Sequence, residues 1–492
     1  MTPLLRKSLL TLGAVALVGG GAAAWIIHGN PSTTPIEQLE GRTPKIGEPK
    51  PETIPSVSLA KTIGWAAGEG PVAAKGLVVT RFAQGLKHPR TMLTLPNGDV
   101  LVAETGAPKS EGGGGITGFV MGIFMRFVGA AEPSANRITL LRDTKGTGTA
   151  DQRFVLREGL SSPSGMAYAN GKLYIANHNA VLAFDYTLGA TSLTSAPKKL
   201  MDLAGGGNHW MRNLLLSSDG KNLYVAIGSS SNIGENGPKA ELGRAMIYEI
   251  DTHDGSHRQY AAGLRNANGM DWNPSTGEMW TVVNERDQLG PDLVPDYLSN
   301  VPVGVHYGWP WFYWGKNEDN RVYDKTPQYQ APEFLVDYVR KPEYALGAHV
   351  APLGMSFAKG GGRLGEHYAN GAFIARHGSW NRKPAVGYDV VFVRFDAHGN
   401  PQGLPEPVLT GFLTPSGDTH GRPTWVSFAK DGALLTSDDT AGVIWRTIAP
   451  GAAPSPAPQS VVVKSLPPQR DLNSDPELQY RIKFKDDQKV RQ

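Results

Sequence analysis

Short apolar stretches alternate with polar positions along most of this chain, and they end repeatedly in a tight turn. One phrase carries the pattern: a small or polar start, an apolar pair, a turn of the Asn-Gly or Asp-Gly kind, then a short alternating strand. It reads GLKHPRTMLTLPNGDVLVAE from Gly85, GLSSPSGMAYANGKLYIAN from Gly159, HWMRNLLLSSDGKNLYVAIG from His209 and GLRNANGMDWNPSTGEMWTVVN from Gly263. Weaker copies start at Gly347, with NGAFIARHG following at Asn370, and at Gly421. An Asn-Gly or Asp-Gly pair supplies the positive φ angles that a two-residue hairpin turn requires. The alternation sends successive side chains to opposite faces of a sheet. Each copy therefore predicts a hairpin, and strand-built repeats of this length predict a propeller around a central channel. Six copies give an all-β, six-bladed propeller over residues 66–449. The polar starts of the phrases fall at corresponding blade ends, so they are expected to gather at one mouth of the channel.

The flanks read differently. Arg6 and Lys7 precede an apolar run from Ser8 to Ile27 that is long enough to cross a bilayer as a helix. The preceding charges keep the N-terminus inside and send the rest out. Ala22, Ala23 and Ala24 offer a small-residue cleavage site, so residues 1–28 are a retained anchor or a removed signal. Both readings imply export to the periplasm, the first with tethering to the inner membrane. Residues 29–65 are rich in Pro, Thr and Glu and read as a linker. Residues 450–492 read as a Pro/Ala linker and a charged tail. An apolar insertion, Gly106 to Asn136, reads as a loop packed on a blade or as a helix in the membrane interface.

Composition narrows the classes. The 492 residues include 60 glycines and 37 prolines, which suits many short strands and argues against a helical bundle. The chain has no cysteine, which removes disulfides, dithiol chemistry and thiolate metal sites. Its net charge of +3 is spread out with no basic block, against a nucleic-acid partner.

Five polar clusters mark the blade ends. Asn208 to Arg212 contains His209, whose imidazole is suited to accepting a proton from a hydroxyl. Leu264 to Gly269 contains Arg265, a fork of donors able to stabilise developing negative charge, or to close a blade by a salt bridge. Asn284 to Asp287, followed by His306 to Pro310, is a tight polar loop that can offer carbonyls and carboxylates to a hard cation. His377 to Lys383 and His420 to Pro423 are cationic ends suited to gripping carboxylates.

Together the clusters resemble the soluble, pyrroloquinoline-quinone (PQQ)-dependent glucose dehydrogenase family, and more closely its sorbosone dehydrogenase branch. The resemblance runs from about Leu77 to Thr447. It rests on NHWMRN at Asn208, GLRN at Gly263, NERD at Asn284, HYGWP at His306 and HGSWNR at His377. It implies PQQ and calcium (Ca2+) as cofactors, His209 as the base that takes the hydroxyl proton, Arg265 beside the reactive quinone carbonyl and Asn266 as a cofactor ligand. It implies calcium on the backbone carbonyls of Arg286 and Asp287, and Arg382 and Arg422 as cations for the cofactor's carboxylates. His349, His377 and His420 stand where the family has threonine, lysine and arginine. The family's Gly-Pro at the calcium loop is Arg286-Asp287 here, with a Gly-Pro four residues later at Gly290-Pro291. The reading is a dehydrogenase oxidising a small sugar, an aldose or aldosulose such as sorbosone, at C1. Its electrons would pass to a membrane quinone or cytochrome. Two other readings of a six-bladed propeller are a metal-dependent lactonase and a non-enzymatic binding module.

Overall fold

The Asn-Gly turns form as the pattern predicts. Asn170 and Gly171 take φ of 51° and 74° between strands Gly165–Ala169 and Lys172–Asn177, the two left-handed residues that a twisted hairpin needs. In this computed structural model the described residues are 29–53, 56–58, 60–108, 133–325, 329–358 and 362–454, together with Gly21. The rest of the N-terminal apolar run, the core of the apolar insertion and the charged tail lie outside them. No helix among the described residues is long and apolar enough to cross a membrane.

Six antiparallel sheets follow one another along the chain. The first blade comprises Pro89–Thr94, Val100–Glu104, Arg137–Arg142 and Gln152–Arg157. The second comprises the hairpin above with Ala180–Asp185 and Lys198–Asp202. The third comprises Arg212–Leu216, Asn222–Ile227, Met246–Asp251 and His257–Ala262. The fourth holds Ala267–Trp272, Met279–Val283, Pro295–Asn300 and Tyr344–Ala348. The fifth holds Pro352–Phe357, Gly371–Arg376, Asp389–Phe395 and Pro401–Thr410. In the sixth, Pro423–Phe428, Leu434–Asp438 and Val443–Ile448 are completed by Val78–Ala83 from the start of the domain, which closes the ring. The six-copy reading of the sequence therefore matches the blade count.

The core lies between blades, and the period of two explains it. In Val100–Glu104, Leu101 and Ala103 pack with Leu173 and Ile175 of the second blade, while Val100 and Val102 pack with Leu435 and Ile444 of the sixth. Both faces are buried, so the strand reads as continuously apolar. The innermost strands touch in sequence around the ring. They approach so closely that only glycine fits at some points. A Cβ on Gly269 would lie 2.5 Å from the Met355 nitrogen, and one on Gly354 would lie 2.5 Å from the Trp425 Cα.

Residues 29–65 are not the free linker their composition suggested. Their described part is a strap fastened across the loops of three blades. Ser32 N donates to the Lys383 carbonyl (2.7 Å), Lys50 N to Leu289 (2.9 Å), Ser58 N to Trp380 (2.7 Å) and Ile63 N to Thr419 (2.8 Å). Glu40–Gly41 adds a fifth strand to the fourth blade, and Val72–Ala73, just beyond the strap, adds one to the fifth. Side chains help hold it too: Leu39 and Ala60 are buried, Ile36 and Ile46 pack on blade cores, and Ser32 and Thr34 bond Asp292.

Gly354→Ala should lower stability by about 1–3 kcal/mol, the usual effect of overpacking. A denaturant-unfolding midpoint unchanged from the parent chain would contradict the backbone-to-backbone packing of the inner strands.

Candidate functional site

The loop before the third blade's inner strand shows how the sequence aims a side chain. Gly206 and Gly207 take φ of 72° and 77°, so the chain can turn sharply after Ala204. Arg212, fully buried, then donates to the carbonyls of Ala204 (2.8 Å), His209 (2.8 Å) and Met211 (2.9 Å). A second buried arginine, Arg244, caps the carbonyls of Gly205 and Gly206. On the facing loop Glu241 accepts from Ser230 N (2.8 Å), Ser230 Oγ (2.5 Å) and Ser231 Oγ (2.8 Å).

These contacts fix the tautomer of His209. Its Nδ1 lies 2.9 Å from the Ser229 carbonyl and 3.0 Å from Ser229 Oγ. Ser229 Oγ gives its own proton to the Ser231 carbonyl (2.7 Å), so both neighbours of Nδ1 are acceptors. Nδ1 therefore carries the hydrogen, and Nε2 keeps a free lone pair. Burial, and then the nearby Arg265 charge, push the imidazole down to about 3, which leaves it neutral near pH 7.

Arg265, 5% exposed, uses its whole fork inside the protein. Nε donates to the Asn232 carbonyl (3.0 Å) and Nη2 to Asn232 Oδ1 (2.9 Å) and Asp287 Oδ2 (3.1 Å). Nη1 donates to the carbonyls of Asn284 (3.3 Å) and Glu285 (2.6 Å). Asn266 beside it is bonded to Asn284 Oδ1 (3.3 Å) and lies against His209, since a Cβ on Gly228 would meet both. Asp287 also meets His349 Nδ1 at 3.3 Å, and His349 Nε2 donates to the Gly290 carbonyl at 3.1 Å. Burial opposes charge on His349, but the hydrogen bond and charge of Asp287 outweigh it and hold its pKa above the ordinary imidazole value. Asp296, raised to about 7 by burial, ties the two loops together through Glu285 N (2.8 Å) and Ala351 N (2.7 Å).

The circuit continues through the fifth and sixth blades. His377 N donates to the Ala351 carbonyl (2.9 Å), and its Nε2 lies 3.0 Å from Asp439 Oδ2. Burial is the main force that pushes this imidazole down to about 4, with the Arg422 and Arg90 charges adding to it. Asp439 accepts from Arg90 Nη1 (2.6 Å), and the Arg90 guanidinium stacks over Trp210, 5.5 Å from the ring centre. Trp210 adjoins His209, so the contacts close into a ring around the mouth. Arg422 stands beside this ring, stacked over Tyr388 at 5.1 Å and donating to its Oη (2.8 Å).

Three expected site residues have their side chains committed elsewhere, although the Arg286 carbonyl, on which the calcium expectation rests, has no donor among the described residues. Arg286 is wholly buried and faces away, bonded to Glu285, Asp319 and the carbonyls of Pro310 (2.6 Å) and Phe312 (2.6 Å). Arg382, 2% exposed, is paired with Asp292 (2.5 Å) and donates to the carbonyls of Pro291 (2.6 Å) and Thr34 (2.8 Å), so it clamps the strap. His420 is stacked under Trp65 of the strap at 4.7 Å, its Nδ1 on the Gly64 carbonyl at 2.7 Å. Sequence reasoning missed Arg90, Trp210, Ser229, Asn232 and Asp439. Arg90 had a signal, since the first repeat copy starts with the polar LysHisProArg stretch at the position where the third has His209 to Arg212.

The two cofactors implied by the sequence fare differently. A tricarboxylate quinone needs cations with donors to spare. Arg90 and Arg422 each keep a buried Nε without a partner among the described residues, and the Arg422 guanidinium bonds Tyr388 Oη while its backbone N donates to Asp438 Oδ1 (2.8 Å). The donor set fits the quinone. Calcium needs six to eight oxygens. The Asp287 carbonyl already accepts from Asn232 Nδ2 (3.1 Å) and Arg321 Nη1 (3.0 Å), and its carboxylate lies between Arg265 and His349. No group of three or more metal-binding side chains occurs among the described residues. The Asp287 carbonyl is therefore engaged, and the Arg286 carbonyl alone does not supply the oxygens calcium needs.

Comparison with known proteins finds a family and a shared fold. A family model described as TrAA12-like matches residues 128–300 and 326–448. A pyrroloquinoline quinone-dependent sugar dehydrogenase of Hypocrea jecorina is 25% identical over 423 residues, spanning 76% of this chain and 88% of the relative. The calcium structure of the Trichoderma reesei family AA12 enzyme shares the fold with a TM-score of 0.61 at 22% identity, over 77% of this chain and 97% of that one. So does the holo form of the pyranose dehydrogenase PQQ domain of Coprinopsis cinerea, with a TM-score of 0.60 at 20% identity over the same shares.

The depressed pKa of His209 sets a pH expectation. The folded imidazole binds its proton near 3 and the unfolded one near 6.5, so its contribution to stability is complete above about pH 6.5 and is lost as pH falls toward 3. Its ring-proton NMR shift should stay flat from about pH 8 to 5; a midpoint near 6.5 would contradict the buried, neutral tautomer.

Proposed function

The chain belongs to the TrAA12-like family, and from that membership we propose that it is a PQQ-dependent sugar dehydrogenase. The observation that carries the proposal is the free Nε2 of a neutral His209 on the same ring as Arg90, with Arg422 beside it, each of the two arginines keeping an unpartnered Nε. The name of the Hypocrea jecorina relative supports the quinone and the sugar class.

The side chains divide the work. Arg90 and Arg422 supply charge-assisted bonds to the cofactor's carboxylates. His209 Nε2 accepts the proton of the sugar's C1 hydroxyl, while Nδ1 stays bonded to Ser229 and keeps the ring in register. Ser229 in turn is steadied by Glu241 through Ser230 and Ser231. Arg265 stands beside His209 as a fixed positive charge that favours charge developing on oxygen. Asn266 offers an amide at the same wall. The bound quinone supplies the two-electron acceptor for the hydride leaving C1.

The substrate proposed is an aldose or aldosulose, with sorbosone among those to try, and the product a lactone or acid. The proposed setting is the periplasm, with electrons passed to a membrane quinone or cytochrome. The N-terminal basic and apolar run supports that setting. Calcium is left out of the mechanism because the Asp287 carbonyl is engaged and the Arg286 carbonyl alone does not supply the oxygens it needs.

The reading is tested by loading the purified chain with PQQ and following dye-linked oxidation of aldoses and sorbosone. Turnover is expected; a loaded protein inert toward all of them would refute the reading. His209→Gln should still bind the quinone but lose about 10²–10⁴ in kcat. Arg422→Met should weaken quinone binding by about ten- to a hundredfold with little change in fold, as for a lost charge-assisted bond. Unchanged kcat in the first variant, or unchanged affinity in the second, would contradict these roles.

A further inference from the structure

Most carbonyls of the loop that the sequence assigns to calcium already accept a hydrogen bond, and those of Asp287, Gln288 and Gly290 accept two. Asn284 and Glu285 give theirs to Arg265. Asp287 gives its carbonyl to Asn232 and Arg321. Gln288 gives its carbonyl to the same Arg321 nitrogen (2.9 Å) and to Glu52 N of the strap (3.0 Å). Leu289 accepts from Lys50 N of the strap at 2.9 Å. Gly290 accepts from His349 and Pro291 from Arg382. Only Arg286 has a carbonyl without a donor among the described residues, and one oxygen does not make a calcium site.

The donors are not incidental surface groups. Arg265, His349 and Arg382 are 5%, 5% and 2% exposed, and each is fixed by a carboxylate. Arg321 is fixed by Asp319, which is itself buried and paired with Arg286. Calcium here would have to share these oxygens with guanidinium and imidazole donors or displace them. It would also sit beside cations whose charges are already balanced by Asp287, Asp292 and Asp319. The loop is held from three sides: by the strap, by the insertion that carries Arg321, and by Arg265 of the blade itself. Its shape therefore does not depend on an ion.

We propose that this chain binds its quinone without calcium, because Arg265, Arg321, Arg382 and His349 occupy the loop carbonyls that would ligate the ion and hold that wall of the site in place. The part concerning the quinone rests on the function proposed above; the part concerning the loop stands on the hydrogen bonds alone. A fold neighbour was solved in a calcium structure, so the claim separates this chain from proteins of similar shape.

The test uses the full chain, stripped with a chelator. PQQ binding is followed by absorbance with chelator present and with millimolar calcium added. The two dissociation constants should agree within about twofold, and the gain in thermal midpoint on quinone binding should be the same in both. Affinity that rises tenfold or more with calcium would overturn the proposal. In parallel, calcium is titrated calorimetrically into the quinone-free chain and into Asp287→Asn. No calcium uptake that depends on Asp287 is expected; one-site uptake abolished by Asp287→Asn would also overturn it. If PQQ binds under neither condition, the dehydrogenase reading fails, and the calorimetric comparison still decides the claim about the loop.

Discussion

Closure of the blade ring is the constraint on which the rest of the molecule depends. The last sheet is completed by Val78–Ala83 from the start of the domain, so no blade can swing out without breaking the pairing with Val443–Ile448. The inner strands then meet backbone to backbone, through glycines such as Gly269 and Gly354 that leave no space for a side chain. With six strands held this way, the loops that lead into them have only one place to go. His209, Arg265 and His349 each lie within three residues of an inner strand, and Arg90 lies within one; that proximity brings residues distant in sequence into one circuit.

Within the circuit, charge is segregated. Asp287 is shared by Arg265 and His349, and Asp439 by Arg90 and His377, so each buried carboxylate is satisfied by more than one donor. His209 has no acid partner among its hydrogen bonds; its Nδ1 is held by Ser229 alone. Burial, and then the Arg265 charge, outweigh the pull of Asp287 and keep the imidazole neutral. The same arrangement leaves Arg90 and Arg422 with donors unspent on the side toward the sixth blade. Base and anion-binding groups thus share one mouth without neutralising each other.

The repeats made most of the fold legible. Asn-Gly and Asp-Gly turns flanked by alternating strands gave the hairpins, and six copies gave six blades, because both signals are local. The strap was not legible. Its hold on the loops comes in part from backbone amides at Ser32, Lys50, Ser58 and Ile63, which leave no periodic apolar trace. The site was legible in part. Sequence spacing put His209, Arg265 and Asn266 near the mouth, because they lie next to inner strands. It could not say which way a loop cation turns, and so Arg382 is expected at the ligand when it holds Asp292 instead. Arg90 and Asp439 are 349 residues apart, and only closure of the ring makes them partners.

A tricarboxylate quinone is proposed to bind inside this ring, where His209 would offer its free nitrogen to the substrate. The most direct measurement is an experimental structure of the quinone-loaded chain. The account predicts carboxylates against Arg90 and Arg422 and a quinone carbonyl on the Arg265 and Asn266 side, within reach of His209 Nε2. A quinone bound outside the ring, or a His209 whose Nε2 points away from it, would contradict the account.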